Sequence, residues 1–129
     1  MSVLGAGEFG DGRYWFQSRP SAQGNDTLIT FGLTDAAIED LGEIEGVNLP
    51  DEGEALRVGD VCFTVEGTQG SIEFLLPFAA RVDGVNRRLV KNPEELSEDP
   101  MEEGWLVRIY GQDKKAAQEF VQEFIEDHA

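Results

Sequence analysis

The chain alternates short apolar runs with polar turns, and the period of its apolar positions changes along its length. Arg13-Tyr14-Trp15-Phe16-Gln17 is an aromatic strand candidate. Thr27-Leu28-Ile29-Thr30-Phe31-Gly32-Leu33 alternates, with Leu28 and Thr30 on one face and Ile29 and Phe31 on the other. Between them, Ser18 to Asp26 reads as a turn, rich in Ser, Gly, Asn and Asp around Pro20. The period then shifts to that of a helix. Thr34 is a good N-cap, Asp35 suits the first turn, and Ala37, Ile38 and Leu41 fall on one face before Gly42 stops it. This predicts a short helix over 35–41.

Glu43 to Leu49 returns to strand, and Pro50-Asp51-Glu52-Gly53 is a turn. Val61–Val65, Ile72–Leu76, Ala79–Val85 and Trp105–Tyr110 are further strands, about 4–6 residues each. A single helical turn is expected over 93–96, in Pro93-Glu94-Glu95-Leu96. The end, 113–127, has the apolar stripe of an amphipathic helix. Asp113 caps it, Ala116, Ala117, Phe120, Val121, Phe124 and Ile125 form the stripe, and Glu119, Glu123 and Glu126 face water. Residues 1–12 are Gly-rich and aperiodic, so a loose start precedes a single domain over 13–129. The fold class is mostly β.

Composition narrows the function classes. Twenty-six acidic residues against ten basic ones give a net charge of −16. That field repels phosphate backbones, so no nucleic-acid partner is expected, and it favours encounter with basic surfaces. No apolar run has the roughly 18 residues of a membrane helix. The first residues lack the basic region of a signal peptide, and the single cysteine, Cys62, cannot form an internal disulfide. Cytoplasm is the default compartment.

The most informative segment is Val65-Glu66-Gly67-Thr68-Gln69-Gly70-Ser71, a polar stretch between two strand candidates that reads as an exposed hairpin tip. Upstream lie Gly32-Leu33-Thr34-Asp35-x-Ala37, Leu49-Pro50 and Gly59-Asp60. Downstream come Pro77, Asn86, Asn92-Pro93-Glu94-Glu95-Leu96, Asp99-Pro100 and Gly104-Trp105-Leu106. This ordered set resembles the H-protein of the glycine cleavage system, a lipoyl carrier, over about residues 13–110. The resemblance implies a barrel-sandwich hybrid of two small sheets with helical additions, and protein partners among glycine-cleavage or lipoate-handling enzymes.

In that family the hairpin reads roughly Glu-Ser-Val-Lys-Ala, and the lysine carries lipoate. Here Glu66 keeps its place and Gln69 falls on the lysine, flanked by Gly67, Thr68 and Gly70. A lysine amine can attack an activated acid, whereas a glutamine side chain is already an amide with no nucleophilic lone pair. The resemblance therefore implies a non-lipoylated homologue, without lipoate or another cofactor, that acts as a binding or accessory module. A working carrier modified at another lysine is the alternative. Lys91 is its first candidate, since only Lys114 and Lys115 remain.

Two further departures stand out. The family's His-x-x-x-Trp type segment survives only as Trp15, and its Pro-x-Ser-Gly after the hairpin is Pro77-Phe78-Ala79-Ala80. Phe74, Leu75, Leu76 and Phe78 thus add bulk near the tip, as extra core or as an apolar partner surface.

Nothing in the sequence converges on catalysis. His128, the only histidine, is one residue from the end, and Cys62 in a strand reads as a small buried hydrophobe. The acidic clusters lack the spacing of a metal loop. The basic group Arg81, Arg87, Arg88 and Lys91 either docks an anion or acidic partner, or balances neighbouring carboxylates.

Overall fold

The computed structural model describes residues 5–20, 27–111 and 114–124. Among these residues, nine strands form two antiparallel sheets. They are β1 (Gly5–Phe9), β2 (Tyr14–Pro20), β3 (Thr27–Leu33), β4 (Ile44–Asn48), β5 (Ala55–Leu56), β6 (Val61–Gly67), β7 (Gly70–Leu75), β8 (Ala80–Val85) and β9 (Val107–Gly111). One sheet has the order β1-β2-β3-β9-β8-β5 and the other β4-β6-β7. Helix α1 (Asp35–Leu41) joins the two, α2 (Arg87–Lys91) and a 3-10 turn (Pro93–Ser97) follow β8, and α3 (Lys114–Phe124) packs against β1.

Strand alternation sends one side of each sheet inward. Phe16, Ile29, Phe31, Val107 and Ile109 face Phe63, Val65, Ile72 and Phe74, all buried. Phe31 and Phe74 meet across the sheets with ring centroids 4.9 Å apart. Each such side chain contributes about 1.5–3 kcal/mol by leaving water. The fold is the two-sheet, mostly β architecture that the resemblance implies.

Helix α1 keeps its expected limits. The Thr34 hydroxyl accepts from the Ala37 amide at 3.3 Å, and Gly42 closes the helix at φ 77°. Ala37, Ile38 and Leu41 are its buried residues. The 93–96 turn is present as a 3-10 helix.

The loose start is a correction. Gly5–Phe9 is a strand that pairs residue by residue with Tyr14–Ser18. Its inward positions are Gly7 and Phe9, so glycine masks the alternation. Gly10, Asp11 and Gly12 all have positive φ, the left-handed turn that brings the two strands together. Phe9 then stacks on Tyr14 at 5.1 Å and meets Phe120 edge-on at 4.9 Å. The turn expected from residue 18 also starts late, because β2 runs to Pro20, and residues 21–26 lie outside the described ones.

Besides β1, two elements escaped the sequence pattern. β5 is only two residues long, and α2 occupies the basic run. The C-terminal helix is described over Lys114–Phe124, with Ala117, Phe120 and Val121 buried. Asp113, Ile125, Glu126 and His128 lie outside the described residues.

Candidate functional site

The β6–β7 hairpin projects from the small sheet. Val65 pairs with Ile72, Glu66 with Ser71 and Gly67 with Gly70, leaving Thr68-Gln69 as a two-residue connection. Val65 and Ile72 point into the core, whereas Glu66, Thr68, Gln69, Gly70 and Ser71 are exposed. The strand alternation therefore delivers a polar tip at the end of an apolar stem. Neither Thr68 nor Gln69 has positive φ, so the glycines flank the turn and do not form it.

The tip is fastened to the end of α1. The Gln69 amide donates to the Leu41 carbonyl at 2.9 Å, one of the carbonyls a helix end leaves unpaired. The Thr68 amide donates to the Glu43 carbonyl at 2.9 Å, and the Glu43 amide donates to the Thr68 hydroxyl at 3.2 Å. These bonds demand close approach. A Cβ on Gly67 would overlap the Leu41 carbonyl oxygen, and one on Gly42 would lie 2.5 Å from the Thr68 hydroxyl and 3.1 Å from Gln69 Cγ. The turn is thus held by two backbone hydrogen bonds and one to the Thr68 hydroxyl, while the Gln69 side chain is left at the surface. No sequence signal marked Leu41 and Glu43 as its supports, because both contribute main-chain atoms.

The exposed groups of this hairpin end are the Gln69 carboxamide in the turn and the Glu66 carboxylate on β6. The carboxamide both donates and accepts hydrogen bonds, the carboxylate only accepts them, and neither offers the amine that amide formation with a carboxylic acid needs. Among the described residues no group of three or more His, Cys, Asp or Glu could hold a metal ion. No helix of the described residues is long and apolar enough to cross a membrane.

The other candidates sort by burial. Cys62 is buried, and desolvation, followed by the charge of Glu54, pushes its thiol up to about 12. Phe74, Leu76 and Phe78 are core, while Leu75 stands 52% exposed. The arginines of the basic group are engaged locally. Arg81 donates to the Gly53 carbonyl at 2.9 Å, Arg87 lies 3.3 Å from Glu52, and Arg88 lies 3.6 Å from Glu95. That favours counter-charge over docking. Lys91 ends α2, exposed, on a helix and not in a hairpin turn.

Asp83 and Arg108 form a 2.6 Å ion pair on the outer face of the large sheet. Burial alone would raise the Asp83 carboxyl. Hydrogen bonds from Arg108 and Tyr110, with the charges of Arg108 and Arg19, outweigh it and hold the group below its ordinary 3.8. The Arg108 guanidinium lies 5.2 Å from the Trp105 ring centroid, and the Trp15 ring, packed flat on Gly32, donates to the Pro100 carbonyl at 2.9 Å. This cluster locks the 98–105 loop on the sheet.

Known proteins share both sequence and architecture. The sequence profile of the family described as "Glycine cleavage H-protein" matches residues 13–127. The glycine cleavage system H protein of Prochlorococcus marinus (strain AS9601) is 39% identical over 87 residues, 67% of each chain. That of Picosynechococcus sp. is 32% identical over 102 residues, 79% of this chain and 77% of the relative. The crystal structure of a glycine cleavage system H protein from Mycobacterium marinum superposes with a TM-score of 0.70 at 26% identity, over 92% of this chain and 98% of that one. With the profile spanning nearly the whole chain and the two-sheet architecture shared, the chain belongs to the glycine cleavage H-protein family.

Proposed function

We propose that this chain is an H-protein homologue that carries no lipoyl group and serves as a protein-binding or accessory module linked to glycine cleavage or lipoate metabolism. The observation that carries the reading is Gln69 in the exposed two-residue turn of the β6–β7 hairpin. The resemblance aligns it with the lysine to which the family attaches lipoate.

The residue present does not fit that group. Amide formation needs a free amine, and the carboxamide nitrogen of Gln69 shares its lone pair with its own carbonyl. Without the arm, the domain has no means of moving an aminomethyl group or electrons between active sites. What remains is an intact scaffold with a supported tip, suited to recognition by the enzymes that handle the family.

The carrier alternative requires a lysine presented as the tip is. Lys91 lies at a helix end instead. Mass spectrometry after co-expression with a lipoate ligase and lipoate separates the two. An unmodified mass supports the module, and a lipoyl adduct on any lysine supports the carrier.

A further inference from the structure

Where the small sheet meets α3, half-buried Tyr14 and the edges of the otherwise buried rings of Phe9, Phe74 and Phe120 lie just beneath the surface. Phe9, Tyr14, Phe74 and Phe120 line a groove of about 630 Å³. That is within the roughly 300–1,000 Å³ of sites that hold small molecules or anchoring side chains. The floor is mutually packed, with ring centroids 4.9 Å apart for Phe9–Phe120 and 5.0 Å for Tyr14–Phe74. The Tyr14 hydroxyl donates to the Glu73 carbonyl at 3.4 Å, which ties β2 to β7 at its edge. Glu73, Glu119 and Glu123 form an exposed acidic rim, and among the described residues no lysine or arginine lines the groove. Arg13 and Lys115 are the cations next in sequence to lining residues.

One wall carries Leu75, whose cross-strand partner is Val61, 44% exposed. Val58, 67% exposed, sits in the adjoining turn, where the Gly59 amide bonds to the Leu76 carbonyl. Three of the four large apolar side chains exposed among the described residues thus gather at this one end of the hairpin. Clustered exposed apolar residues rimmed by charge mark an interaction surface.

We propose that this groove docks a basic amphipathic segment of a partner protein. Its aliphatic side chains cover the aromatic floor and Leu75, and its lysines or arginines meet Glu73, Glu119 and Glu123. Charge complementarity selects the occupant. A second copy of this chain would bring more negative charge to an acidic rim, and a neutral apolar ligand would leave the carboxylates unanswered. The groove begins four to six residues along the strand from Gln69, roughly 13–20 Å away. It deepens the binding-module reading and does not depend on what the tip carries.

The test is fluorescence anisotropy with a labelled synthetic Leu/Lys amphipathic helix at physiological ionic strength. Leu75→Asp, and separately the pair Glu119→Lys with Glu123→Lys, should each weaken binding by about tenfold or more. The pair Glu94→Lys with Glu98→Lys makes the same charge change on the 3-10 turn beside β4 and on the residue that caps it. It should cost less than about twofold. Absence of binding, or equal losses in both charge pairs, overturns the proposal. A dimer in sedimentation that Leu75→Asp dissolves also overturns it, by giving the face to a second copy. All substituted side chains are exposed, and circular dichroism melting verifies that the variants remain folded. A lipoyl adduct on the chain would sink the carrier-free reading and leave this assay untouched.

Discussion

The backbone amide of Gln69 donates to the carbonyl of Leu41 at 2.9 Å, so the exposed tip of one hairpin is bolted to the C-terminal end of the helix before it. The turn cannot sway freely. Its two amides and the Thr68 hydroxyl are all satisfied by Leu41 at the end of α1 and by Glu43 just before β4. The side chain that emerges there is therefore presented at a fixed place, and its chemistry decides what the tip can do.

Gly67→Ala should break this fastening. The added Cβ would overlap the Leu41 carbonyl oxygen, a backbone atom that cannot rotate away. The expected cost is about 2 kcal/mol, read as a lower urea midpoint with an unchanged slope. Amide exchange at Thr68 and Gln69 should accelerate in parallel. Unaltered stability would mean that the contact is looser than described.

Gln69→Lys should restore an acylatable amine at the supported turn. Co-expressed with a lipoate ligase, this variant is expected to gain one lipoyl mass. Failure would mean that the surface around the tip has diverged as well as the residue itself.

Asp83→Asn tests the ion pair with Arg108. The folded carboxyl lies below its ordinary 3.8, so its contribution is present above that value and is lost as pH falls through the folded value. At neutral pH the variant should be less stable by about 1 kcal/mol, a figure kept small because both partners are partly hydrated. The gap should narrow as pH falls below 3.8 in urea titrations. A gap independent of pH would assign the effect to packing.

Cys62 should resist alkylation in the native state at pH 8 and react fully in urea. Its thiol is pushed up to about 12, and the nucleophile is the thiolate. Between the ordinary thiol value of 9.0 and about 12 the unfolded chain releases this proton and the folded chain keeps it. Stability should therefore decline as pH rises through that window. Rapid native labelling would contradict the burial.

The sequence made helix α1 and the β6–β7 hairpin legible, because both rest on local rules: a Thr cap, a closing glycine, and apolar pairs flanking a polar turn. Its aperiodic start hid a strand, since Gly7 occupies an inward position that an apolar residue would have marked. The supports of the tip were invisible for a different reason. Leu41 and Glu43 act through main-chain atoms, which any residue supplies. The groove escaped notice because its floor joins Phe9, Tyr14, Phe74 and Phe120 from four separate elements. Bulk beside the tip could be either core or surface from alternation alone. Burial of Phe74, Leu76 and Phe78 assigns most of it to the core and leaves Leu75 outside.

The decisive measurement is the intact mass of the wild-type chain after co-expression with a lipoate ligase in lipoate-supplied cells. With a carboxamide in the turn, the mass should equal that of the unmodified polypeptide, while a lysine-bearing H-protein in the same cells is fully converted. A lipoyl adduct, mapped by peptide sequencing to Lys91, Lys114 or Lys115, would make the chain a carrier and contradict the account.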